Sequence, residues 1–132
     1  MHWDNPKPVV AAVIEHQGQI ILVRNVGWPE KWFGLVSGFL EREEKPEEAI
    51  LREIKEETNL DGEIVEFLGH YTFSQMNEII MAYYVRAEGV IVLNEELEDY
   101  KLIQPEKLRP WPFGTGKAVR DWIQRYVKPE VP

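Results

Sequence analysis

The chain has 132 residues, 44% of them hydrophobic and 29% charged, with a formal net charge of −8 and no cysteine. That fits one domain, residues 1–132, with a real core, and excludes disulfides, thiolate metal sites and a cysteine nucleophile. The acidic balance argues against a long nucleic-acid partner. The opening "MHWDNPKP" lacks the charged and apolar regions of a secretory signal, and no apolar run nears the roughly 20 residues of a membrane span. A soluble, cytoplasmic protein with no membrane partner is therefore expected.

In chain order, "PVVAAVIEHQGQIILVRN" predicts two β-branched strands turning at Gln17-Gly18. "NVGWPEKWFGLVSG" reads as an aromatic loop punctuated by Gly27, Pro29, Gly34 and Gly38. A helix is expected from Pro46, because proline suits a first helical turn. "EIVEFLGHYTFS" and "EIIMAYYVRAEGVIVL" read as strands, followed by an acidic connector, "NEELEDY", and a short strand, "YKLIQ". "RPWPF" reads as a stiff link into a last helix, where Ala118, Val119, Trp122, Ile123 and Tyr126 recur at helical spacing. The order lacks regular βαβ alternation and implies an α/β (α+β) fold, a mixed sheet with helices packed on it.

The first helix breaks a rule. At about 100° per residue, with Glu53 at the origin, Glu57 falls near 40° and Ile50 near 60°. Ala49 and Glu56 fall near 320° and 300°, and Ile54 near 100°. Glu53 and Glu57 thus flank the apolar stripe instead of sharing the solvent side with Lys55. Like charges at this spacing repel, at a few tenths of a kcal/mol per pair, roughly. Two explanations remain open. The acids pair with basic side chains such as Arg52, or a hard divalent cation with oxygen ligands gathers them. Glu47 and Glu48, in the first turn, need only the helix dipole.

The spacing extends further. Gly38 is followed after five residues by Glu44, and after seven more by Arg52-Glu53-Ile54-Lys55-Glu56-Glu57, with Leu60 closing the segment. This resembles the signature of the Nudix hydrolases, matching every defined position but the late glycine, where Asn59 stands. Asparagine is the next best residue for the left-handed turn past a helix end, so glycine there should serve as well or slightly better.

The resemblance implies a Nudix-like α/β/α sandwich around a mixed β-sheet and hydrolysis of a pyrophosphate bond in a nucleoside diphosphate linked to another group. A dinucleotide, nucleotide sugar or nucleoside triphosphate would be the small nucleotide-type substrate. Glu53, Glu56 and Glu57 would hold Mg²⁺ or Mn²⁺, with Gly38 admitting backbone close to the ion. Glu53 or Glu57 would be the general base. Arg52 would orient carboxylates; read from the helix alone, it pairs with Glu48 or Glu56 four residues away. Glu44 would support the site. A homodimer is compatible with this reading.

Many such enzymes add an acid from a distal loop, which points to Glu98 or Asp99, although acidic connectors are usually just solvated. Trp28, Trp32 and Phe39 flank the box and are candidates to stack a base, with ordinary core packing the alternative for Phe39 and for Phe33. "LVSGF" resembles the NADH pyrophosphatase branch, but that branch's tryptophan-proline stretch after the box and its zinc ribbon are missing. "RPWPFG" lies in the wrong place to substitute and reads as linker. "GTGK" lacks the rest of a phosphate loop, and His2, His16 and His70 are isolated. The competing readings are a catalytically silent nucleotide-binding or regulatory domain, which would be expected to lose box glutamates, and an acidic interaction module, which leaves carboxylates beside an apolar stripe unexplained.

Overall fold

In the computed structural model, which describes residues 4–128, the central strand is β1 (Lys7–His16), and its composition explains why. Residues 9 to 14 are all apolar and all buried, as a strand covered on both faces requires. β1 turns through Gln17-Gly18, both at positive φ, into β2 (Gln19–Asn25), the turn geometry that matches strand twist. The six-stranded sheet runs β4 (Asp61–Phe73), β5 (Glu78–Glu88), β1, β2, β6 (Leu97–Ile103), and β3 (Val36–Phe39) pairs with β1 off that path. β1 pairs in parallel with β5 (Glu78–Glu88); every other pairing between strands is antiparallel.

Alternation along β1 feeds two cores. Val9, Ala11 and Val13 face α2 (Gly116–Tyr126), where Trp122 and Val119 are buried; Val10, Ala12 and Ile14 face α1 (Pro46–Thr58), meeting Ile50 and Ile54. The sheet is sandwiched between the helices, as the fold reading expected. α1 starts at Pro46, with Lys45 N–H donating to Glu48 Oε1 at 3.0 Å, and ends on Asn59 at φ 68°.

Several boundaries differ from the sequence reading. The aromatic loop contains a strand, β3 (Val36–Phe39), which takes the lower half of β1's edge while β2 takes the upper half. Four residues with a glycine among them are too few to carry a strand pattern. β4 (Asp61–Phe73) is one long edge strand, and β6 (Leu97–Ile103) begins inside the supposed acidic connector. Residues 90–93 are not strand. Ile91 and Leu93 pack on the α1 core, while Val92 N–H donates to Thr58 O at 3.0 Å and Asn94 N–H to Glu57 O at 3.2 Å. The apolar run therefore serves to cap carbonyls that a helix end leaves orphaned. On α2, Tyr126 is 42% exposed, at the rim of the stripe instead of inside it.

Candidate functional site

The conflict on the wheel survives folding. Ile50 and Ile54 are fully buried, and Glu57, one turn on, is only 4% exposed. Glu53 lies against β3, where the missing side chain of Gly38 makes room: a methyl group there would overlap the Glu53 carboxylate. Gly38 is thus a close-approach glycine, and what approaches it is a side chain of the same box.

Arg52 organises the acids. Its Nε and Nη2 donate to the two oxygens of Glu44 at 2.6 and 3.0 Å, and Nη1 reaches Glu53 at 2.9 Å and Glu56 at 3.2 Å. Nη2 also donates to Phe39 O at 3.4 Å, tying the helix to the end of β3. The guanidinium's hydrogen bonds hold the Glu44 carboxyl below its ordinary range, while the Glu44 and Glu53 carboxylates push the Arg52 pKa up. Such a fork gains from bidentate geometry. Glu44 and Arg52 are therefore a positioning pair. Glu48, the alternative partner, is occupied at the Lys45 amide.

Glu57 lacks such help. Burial foremost, then the neighbouring Glu53 carboxylate and the charges of Glu96 and Glu56, push its pKa up to about 9. Its Oε2 is buried without any hydrogen-bond partner among the described residues. Buried carboxyl oxygens are normally paired, and an orphan asks for a reason. Among the described residues no three acidic or imidazole side chains already stand together as a ligand group, and Arg52 Nη1 donates to both Glu53 and Glu56.

The distal acid whose charge reaches Glu57 is Glu96. Its N–H donates to Asn94 Oδ1 at 3.0 Å and its carbonyl accepts from Val26 N–H at 2.9 Å, which pins the loop beside the helix end. Glu98 instead pairs with Arg24 at 2.5 Å, and Asp99 accepts from the Tyr100 N–H at 2.7 Å. Sequence reasoning missed Glu96 because it rested on a strand through residues 90–93, which displaced the loop's anchor points. Asn59 does more than turn the chain: its Nδ2 donates to Val90 O at 3.1 Å, joining the same loop to α1.

On the other face of β3 lies a cavity of about 640 Å³. Ser37, next to Gly38, faces it, so one short strand separates the cavity from the carboxylates. Trp28, Trp32, Phe73, Met76, Trp111 and Phe113 line it. Trp28 and Trp32 are 37% and 57% exposed, open to a ligand. Phe39, the third aromatic singled out from sequence, is 54% exposed and stands outside the cavity beneath Lys7 Nζ. Phe33 is part of the wall and carries Lys101 Nζ 4.2 Å above its ring. "RPWPF" is not a mere link. It folds against Phe73, with the Phe73 and Phe113 rings 6.2 Å apart, and Gly116 leaves no room for a Cβ beside the Trp111 backbone.

A NUDIX domain family model matches residues 5–126. The chain is 41% identical over 126 residues to an ADP-ribose pyrophosphatase of Methanocaldococcus jannaschii, covering 91% of this chain and 75% of that protein. It is 23% identical over 122 residues to an NAD-capped RNA hydrolase, NudC, of Pseudomonas putida, of which it spans 44%. A solved NUDIX hydrolase from Nitrosomonas europaea superposes with a TM-score of 0.80 at 21% identity, covering 95% of this chain and 74% of that one. No helix among the described residues is long and apolar enough to cross a membrane.

Proposed function

Because the chain belongs to the Nudix family of pyrophosphohydrolases, we propose that it hydrolyses the pyrophosphate bond of a nucleoside diphosphate linked to another moiety. ADP-ribose, named for its 41% identical relative, is the leading candidate. The observation that carries this reading is the buried, unpartnered oxygen of Glu57 beside the Glu53 carboxylate.

Burying a carboxylate without a partner is costly, and a hard cation is a fitting partner for oxygens so placed. Glu53, Glu56 and Glu57 are the side chains that would hold Mg²⁺ or Mn²⁺, with the Gly38 backbone alongside. When bound, such an ion offsets phosphate charge and acidifies a coordinated water. Arg52 holds the carboxylates in place, and its bidentate grip on Glu44 fixes the guanidinium itself. Glu53 or Glu57 takes the proton from the attacking water, since both lie at the cluster's centre. Glu96 adds negative charge at the helix end, and Glu98 and Asp99 act in anchoring β6 to β2. The aromatic cavity across β3 holds the base, with Trp28 and Trp32 as stacking walls, each stacked base gaining about 1–3 kcal/mol. Phe39 contributes by its carbonyl contact with Arg52.

The water oxygen joins one phosphorus, the bridging oxygen leaves with the other, and two phosphomonoesters result. Incubation with Mg²⁺ and ADP-ribose, NADH, diadenosine polyphosphates or nucleoside triphosphates tests this. Release of AMP and ribose 5-phosphate from ADP-ribose, lost with chelator, is the expected outcome. No cleavage of any of these compounds would refute the reading.

A further inference from the structure

The cavity's floor carries one acid whose place neither the fold nor the carboxylate cluster explains. Glu78, at the start of β5, lines the aromatic cavity. Its backbone pairs with β1 and β4, but its half-buried side chain has no hydrogen-bond or ion-pair partner among the described residues. Its cross-strand neighbour Lys7 extends its Nζ toward the Phe39 ring, 6.0 Å from the centroid, instead of pairing with it. The other charged side chain in the wall is Lys31. Burial raises the Glu78 carboxyl above its ordinary pKa and Lys7 works against that.

We propose that Glu78 is a specificity-determining residue, accepting a hydrogen bond from an exocyclic amine of a purine base stacked among Trp28, Trp32 and Trp111. A carboxylate offers acceptors only. It therefore matches an amino group, and it disfavours uracil, whose hydrogen-bonding edge places carbonyl oxygens on both sides of a single N–H. The aromatic walls accept any ring; selectivity must come from the polar groups among them. The inference rests on the nucleotide reading above only in taking a base as the ligand.

The test is binding, so it stands apart from turnover. In the presence of chelator, the wild-type protein is titrated with two pairs of nucleoside monophosphates, each pair differing by one amine. AMP is compared with purine riboside 5′-monophosphate, and GMP with IMP; UMP is added as a third arm. Quenching of tryptophan emission reports binding, since three tryptophans line the cavity. Loss of a hydrogen bond to a charged group should weaken binding about tenfold or more in at least one pair, and that pair identifies adenine or guanine as the base. Glu78→Leu should bring the ratio close to one. Glu78→Gln, which keeps an acceptor and the shape, should retain a ratio of roughly threefold or more. Equal binding within both pairs, an undiminished ratio in Glu78→Leu, or no quenching by any nucleotide would overturn the proposal. A protein that discriminates by the amine yet cleaves nothing with Mg²⁺ would sink the hydrolase reading alone. Cleavage without discrimination would sink this one alone.

Discussion

The two helices cover opposite faces of one sheet, and they obey different rules. α2 presents Ala118, Val119 and Trp122 to the core and keeps its charges out of it, with half-buried Asp121 accepting from the Tyr71 hydroxyl at 2.6 Å and Arg125 reaching out to Glu66 at 3.1 Å. Trp122 stacks with Tyr126 at 5.9 Å and meets Tyr84 edge-on at 5.6 Å. α1 begins the same way, with Ala49 and Ile50 inside, but its second half takes a carboxylate into the protein. Where local preference and packing agree, a helix is there to hold the fold. Where one helix disobeys at a single turn, the disobedience is the feature that the proposed chemistry would account for.

The sharpest way to break that contrast is at Glu57. Glu57→Gln removes charge without volume, and turnover should fall about 10²–10⁴-fold, the scale of a lost general base or its electrostatic equivalent. Glu47→Gln, in the first turn, should leave kcat nearly unchanged. Steady-state kinetics on both variants decides it, and equal losses would erase the distinction between the two ends of α1.

Trp122→Ala addresses the opposite helix. Truncating a buried tryptophan should cost about 3–5 kcal/mol in chemical denaturation, with kcat per folded molecule little altered. A loss of kcat exceeding the loss of folded protein would mean that α2 is more than scaffold.

The pH dependence of the metal-free protein gives a third handle. Glu57 is held protonated in the folded state, with its pKa raised to about 9 from an unfolded value of 4.5. Between those values the native state binds a proton that the unfolded state does not, so stability falls as pH rises. Thermal melts with chelator should show this decline, and Glu57→Gln should flatten it. A wild-type melting temperature rising steadily from pH 5 to 8.5 would contradict the assignment.

Much of this was legible in the residues. The wheel positions of Glu53 and Glu57 put them beside the apolar stripe, and the spacing from Gly38 to Leu60 pointed to the fold and its class of chemistry. What stayed hidden depends on contacts distant in sequence. Residues 90–93 have the composition of a strand, yet the N–H groups of Val92 and the following Asn94 are spent on the carbonyls of α1, and only the packed helix end provides those. The same loop carries Glu96. "RPWPF" resembles a spacer until Gly116 lets Trp111 sit on α2 and Phe113 meet Phe73. The box alone marks Asn59 as a turn residue; its bond to Val90 is invisible there.

That bond sets the smallest effect. Asn59→Gly gains from a free positive φ but loses a hydrogen bond of about 1 kcal/mol, so its stability should change by less than about 1 kcal/mol, without the slight gain that the turn alone would give. Asn59→Val should cost about 1–2 kcal/mol, because a β-branched side chain is forced into the left-handed region. Urea unfolding of both variants measures the difference.

The central claim is that the carboxylates around Glu57 are gathered for a divalent cation, and calorimetric titration with Mn²⁺ near pH 7 tests it most directly. Wild-type protein should bind in a saturable step that releases close to one proton, read from the heats in buffers of different ionisation enthalpy, because the ion displaces the proton that Glu57 holds. Glu57→Gln should bind more weakly and release none. Absence of saturable binding in the wild type, or equal affinity and proton release in the variant, would contradict it.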